Sequence, residues 1–139
     1  MGIRRRTFRG YNLKNKKWLY GYYLVNRGKH FIVQDEVVNP FEEESDFEVD
    51  PESVGQFVGV FKSHLSIGTY LDYNYLYEGD LVRTTFDNRF YFKYSIRFEP
   101  SKSAFVLFLQ DNPIRVVDSS LNYKVIGNKY EEKLKISNP

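Results

Sequence analysis

Residues 89–98 read Arg89-Phe90-Tyr91-Phe92-Lys93-Tyr94-Ser95-Ile96-Arg97-Phe98. Phe90, Phe92, Tyr94, Ile96 and Phe98 hold the even positions, and Arg89, Tyr91, Lys93, Ser95 and Arg97 the odd ones. A repeat of two is the signature of a strand with one face buried, and this run predicts one about 30 Å long. Working outward, Leu81–Phe86 pairs with it through Asp87-Asn88. Glu99-Pro100-Ser101-Lys102 then turns the chain into Ala104–Leu109, whose unbroken apolar run predicts burial on both faces. Asp111-Asn112-Pro113 turns into Ile114–Val117, Tyr123–Ile126 is a last short strand, and Tyr130–Ile136 adds a helical turn or two.

The N-terminal half carries the same signals. Trp18–Val25 and His30–Val33 are aromatic and β-branched runs joined by Asn26-Arg27-Gly28-Lys29, a turn with Asn and Gly to take positive φ. Val37–Asp50 reads as an acidic loop interrupted by Pro40. Asp50-Pro51-Glu52-Ser53 reads as a turn or one helical turn, since Pro just after Asp is a start signal. Gln56–Phe61 is a short strand. The fold expected is mainly β with minor α, its antiparallel strands forming a small SH3-like barrel or a sandwich. One domain covers 1–139, with a smaller N-terminal β lobe at about 1–60, a loop at 61–76 and a small-barrel lobe at about 77–131.

With 139 residues and an aromatic content of 18%, the chain can build a real core, which excludes a wholly disordered one. The absence of cysteine excludes disulfides, thiolate metal sites and cysteine nucleophiles. The longest apolar run, Ala104–Leu109, is far too short for a membrane span. No apolar core follows the basic Met1–Arg6, and Arg6 stands where a myristoylation motif needs Ser or Thr. The expectation is a soluble intracellular protein without membrane association.

A net charge of +2 hides two opposed blocks. Residues 1–34 carry nine cations and no acid, whereas residues 35–52 carry nine acids and no cation. Such blocks pair with each other within or between chains, present separate faces to an anion and to a basic partner, or are simply solvated. Exposed pairing contributes below about 1 kcal/mol per pair, so the acids read better as a partner or solubility feature than as a source of stability.

No catalytic constellation stands out. His30 and His64 have no zinc-type spacing and read as exposed strand-end and loop residues. There is no phosphate-cradling glycine loop and no nucleophile elbow, so neither an enzyme, a cofactor nor a metal is expected. Two binding surfaces remain. Arg89, Tyr91, Lys93 and Arg97 line one strand face and suit an anion or nucleic acid, cations on phosphates and the aromatic on a base. Their plainer reading is the polar side of a half-buried strand. Glu42, Glu43, Glu44 and Asp46 suit a basic partner. Tyr77-Glu78-Gly79-Asp80-Leu81-Val82 is distinctive, with Gly79 and Asp80 read foremost as turn chemistry.

Four ordered strings resemble the YopX-like family of small phage and prophage proteins. They are Phe8-Arg9-Gly10-Tyr11 with Asn15-Lys16-Lys17-Trp18 and Tyr20-Gly21, Val54-Gly55-Gln56-Phe57-Val58-Gly59, Tyr77–Val82, and Val125-Ile126-Gly127-Asn128-Lys129-Tyr130-Glu131. Phe61–Leu76 is longer than the family's usual hairpin, and Glu132-Lys133-Leu134 replaces its usual closing string. The resemblance implies a mainly β fold, a phage or prophage origin, the cytoplasm of an infected or lysogenic bacterium, and a homo-oligomer. It brings no activity and no functional residue.

The function expected is that of a non-enzymatic phage accessory protein that binds a host component, countering antiviral defence or redirecting host machinery. It would act as a protein inhibitor or as a trap for a small anionic signal such as a nucleotide. The alternative is a nucleic-acid-binding small β-barrel module.

Overall fold

The computed structural model describes residues 7–34, 44–63, 73–85 and 92–137. Among them the chain is mainly β, with two antiparallel five-stranded sheets. It divides between Phe57 and Val58 into two compact units.

In the first unit β1 (Phe8–Asn12), a strand the sequence reading did not foresee, pairs with β2 (Lys17–Asn26), which pairs in turn with β3 (Lys29–Val33). The opening residues of β4 (Gly55–Lys62) add to β1, Gln56 opposite Phe8 and Gly55 opposite Arg9. The β2–β3 hairpin turns on Arg27 (φ 54°) and Gly28 (φ 78°). Asn26 and Lys29 are paired, so the two residues between them take the positive φ that matches strand twist. The left-handed position expected at Asn26 therefore falls on Arg27. The described part of the expected acidic loop is not loop throughout: α1 spans Glu44–Phe47, Glu48 bridges to Phe31, and a 3₁₀ turn covers Pro51–Ser53. Asp50 caps that turn, its Oδ1 accepting from the Glu52 amide at 3.1 Å, and Pro51 opens it as the sequence predicts.

The second unit contains β5 (Tyr73–Tyr77), β6 (Asp80–Thr84), β7 (Tyr94–Glu99), β8 (Ala104–Leu109), β9 (Asn112–Val116), β10 (Tyr123–Asn128) and α2 (Lys129–Ser137). Strand therefore reaches Lys62 and resumes at Tyr73, inside the segment 61–76 read as loop. The strand orders are β3-β2-β1-β4-β5 and β10-β6-β7-β8-β9. Each ends on two strands that do not pair with each other, so of the barrel or sandwich expected, the SH3-like barrel is not closed among the described residues. The β9 edge carries Pro113, which has no N–H, and a register shift that skips Ile114. Both features blunt an edge against pairing with another chain.

The core of this unit is Leu76, Val82, Tyr94, Ile96, Leu107, Leu121 and Tyr123. Val106, Leu107 and Phe108 are buried in succession, as the apolar run of β8 predicts. The decisive stretch behaves differently from its pattern. Residues 89–91 lie outside the described residues; among the rest strand runs from Tyr94, Phe92 and Phe98 are exposed, and Ser95, from the supposed polar face, is buried. The reason is that the second face is also covered: Ser95 sits opposite Leu81 and Phe108, and the Arg97 guanidinium lies 4.0 Å from the Phe108 ring centroid. Phe98, near the strand end, packs edge-on against Phe105, with ring centroids 5.4 Å apart.

The Tyr77–Val82 string is a built turn. Gly79 adopts φ 95°, its N–H donates to Ile96 O at 2.8 Å, and its carbonyl accepts from Lys129 N at 2.9 Å. The buried Asp80 carboxylate accepts from Tyr77 N at 2.8 Å. Turn chemistry accounts for these residues.

Tyr123 is fully buried, its hydroxyl donating to Asp118 O at 3.1 Å. Burial pushes its pKa from 10.0 up to about 12. Because the folded value is raised, this contribution to stability is complete below pH 10 and is lost as pH rises towards 12. Tyr123→Phe is expected to flatten the decline in urea-unfolding free energy over that window. An unchanged decline would show that Tyr123 does not govern it.

Candidate functional site

The acidic segment is held by its backbone. Asn12, at the end of β1, has no exposed surface. Its Nδ2 donates to Ser45 O at 2.9 Å and to Glu48 O at 2.8 Å, and its Oδ1 accepts from Asn15 N at 2.6 Å. One amide thus ties α1 to the β1–β2 turn. Further along, Val49 N donates to His30 O, Asp50 N donates to Tyr11 O, and Tyr11 N donates to Ser53 Oγ at 2.7 Å. Val49 is buried where Gly10 leaves room: a Cβ on Gly10 would stand 2.9 Å from Val49 Cβ and Cγ2.

Beside α1 this packing leaves an open groove of about 370 Å³ lined by Leu13, Lys14, Ser45, Glu48, Val49, Asp50 and Pro51. Leu13, Val49 and Pro51 make it apolar, and Glu48 and Asp50 supply carboxylates. Lys14 does not offset them, because its ammonium is 2.7 Å from Asp46 Oδ1 and 3.1 Å from Ser45 Oγ. That ion pair joins the basic block to the acidic one, and both side chains are solvated enough to make it weak.

Of the acidic candidates, Asp46 lies in α1 against Lys14 and Glu44 opens that helix, while Glu42 and Glu43 lie outside the described residues. The groove acids Glu48 and Asp50 belong to the same block, but only the backbone geometry singles them out. Asn12 was legible only as an Asn beside a turn, a position where its side chain commonly bonds backbone.

The cationic strand face fares differently. Arg89 and Tyr91 lie outside the described residues. Lys93 is 2.8 Å from Glu132 Oε2. Arg97 donates to Gln110 O at 2.5 Å, approaches Asp111 at 3.5 Å and covers Phe108. Both described cations thus have partners within the unit. Arg9 is buried, its guanidinium 4.8 Å from the Trp18 ring centroid. His30 is half-buried rather than exposed: it stacks on Tyr23, and its Nδ1 shares a hydrogen bond of 2.5 Å with that hydroxyl. His64 lies outside the described residues. Among the described residues no cluster of His, Asp and Glu suits a metal ion, and no helix is long and apolar enough to cross a membrane.

No family model, curated protein or solved structure matches the chain.

Asn12→Leu strands two carbonyls and is expected to lower unfolding free energy by about 3 kcal/mol. Gly10→Ala, which drives Val49 from its seat, should cost about 1–3 kcal/mol. Lys14→Ala should cost less than about 1 kcal/mol. Urea titrations of the three variants give the ranking; a Lys14→Ala loss matching that of Asn12→Leu would make ion pairing the principal tie.

Proposed function

We propose that this chain is a non-enzymatic accessory protein of a phage or prophage that binds a basic surface of a host protein through its acidic segment, countering defence or redirecting host machinery. The observation that carries this reading is the groove beside α1, where Glu48 and Asp50 stand over an apolar floor and the one lysine on its rim is already held by Asp46. Carboxylates displayed at fixed spacing present the charge of a phosphate backbone to a cleft built for nucleic acid, and like fields on other surfaces repel competitors. The phage setting rests on the YopX-like strings. A nucleic-acid-binding role gains no support from Lys93 and Arg97, whose charges are met by Glu132, Asp111 and the Gln110 carbonyl.

The test is a pull-down from nuclease-treated host lysate, comparing the native chain with a variant carrying Glu42→Gln, Glu43→Gln, Glu44→Gln and Asp46→Asn. A stoichiometric host protein retained by the native chain and lost with the variant is the expected result. The Lys14–Asp46 pair that it breaks is exposed and worth less than about 1 kcal/mol, so the variant is expected to stay folded, which its circular dichroism checks. Retention of the same protein both by the neutralised variant and by Glu48→Gln would overturn the acidic-face reading.

A further inference from the structure

We infer that the groove beside α1 is a seat for one basic side chain, an arginine or lysine, presented by an extended segment of a protein partner with basic residues at alternate positions. This deepens the reading of the acidic segment as a binding face and rests on it.

The shape of the segment sets the alternation. Glu48 is in a strand bridge with Phe31, and Asp50 has extended backbone at φ −66°, ψ 122°. Val49 between them is buried against Gly10. Glu48 and Asp50 therefore stand two residues apart on an extended chain, a repeat of roughly 7 Å. A partner strand places its own alternate side chains at the same repeat, so Arg-x-Arg or Lys-x-Lys matches the two acids and an adjacent pair does not.

The lining selects the chemistry of the occupant. Long cationic side chains lay their methylenes on apolar surface and keep the charged head at polar groups. Leu13, at 56% exposure the apolar shoulder of the groove, joins Val49 and Pro51 to offer such a surface, and the carboxylates supply the head's partners. An aliphatic occupant would desolvate the carboxylates with nothing in return. A phosphate or acidic side chain would meet like charge. A small inorganic cation would leave the apolar surface unused. The volume of about 370 Å³ suits one long side chain rather than a helix 10–12 Å across. The seat is also fixed before binding, since Asn12, Ser53 and the Gly10–Val49 contact hold its walls by backbone, which limits the ordering cost of association.

The experiment uses three labelled nine-residue peptides: one alternating Gly and Arg, one of the same composition with its arginines adjacent, and the alternating one with citrulline for arginine. Fluorescence anisotropy reads affinity, and amide chemical shifts locate the contact. The alternating peptide should bind at least tenfold tighter than the other two, shift the amides of Leu13, Glu48 and Val49, and weaken about tenfold with Glu48→Gln or with Leu13→Ser. Leu13 is exposed and Glu48 half-buried, so both changes are mild, and an unchanged amide spectrum elsewhere reports the intact fold. Equal affinity of the alternating and adjacent peptides, indifference to Glu48→Gln, or displacement by spermidine at the same concentration as by peptide would each overturn the inference. The lysate capture separates this from the broader reading. A host protein lost with the four-residue neutralised variant but kept by Glu48→Gln leaves the acidic face standing and removes the groove, whereas one kept by both removes both.

Discussion

A single buried amide sets what the first unit can display. Asn12, itself without exposed surface, meets the carbonyls of Ser45 and Glu48 with its two N–H groups and the Asn15 amide with its oxygen. Its three bonds close the β1–β2 turn and fasten the acidic segment across it. The Lys14–Asp46 pair beside them is solvated and adds little to that hold. The tie is neutral and internal, so it is indifferent to salt in a way that an ion pair is not.

That indifference explains how consecutive acids share a short stretch of chain. Carboxylates crowded along a backbone repel one another, and their repulsion must be offset from elsewhere. Here the offset comes from main-chain bonds at Val49, Asp50 and Ser53 and from the burial of Val49 against Gly10, none of which uses a carboxylate as a cross-chain strut. Asp50 does use one oxygen locally, on the Glu52 amide, to cap the 3₁₀ turn. Gly10 belongs to this device as much as Asn12 does, because any Cβ would occupy the space of Val49. Stability and display are thereby assigned to different atoms: the backbone and one valine hold the segment, and its charges remain on the surface.

The fold class was legible because strand periodicity and turn chemistry are local properties. The apolar run of β8, the proline turns at Pro51 and Pro100, and the Gly79-Asp80 turn sit where the sequence puts them. The failures have tertiary causes. Residues 94–98 alternate in type but not in burial, because Arg97 lies over Phe108 and covers a face that the pattern assigns to water. β1 was missed because Arg9 and Asn12 look like surface residues in sequence, yet Trp18 covers the first and α1 is fastened over the second. β5 was absorbed into a loop since its tyrosines and asparagine carry no clean alternation. The barrel expectation failed at the level of closure, which depends on strand tilt and stagger rather than on any single strand's residues.

The candidate site follows the same division between what a chain lists and what a fold exposes. Charge counted along the sequence marks two surfaces, an acidic one read first as a partner face and a basic one read foremost as the polar side of a strand. Folding separates them. Cations have long stems that reach across to carbonyls, carboxylates and rings, and Arg9, Lys14, Lys93 and Arg97 all do so. Acid side chains are shorter, and on an extended backbone whose alternate residue is buried they are directed away from the sheet. Flanking Val49, Glu48 and Asp50 meet that condition, which is why charge of modest density becomes a defined feature there. Recognition by charge needs both a field and a shape, and the groove beside α1 brings the two together within the first unit.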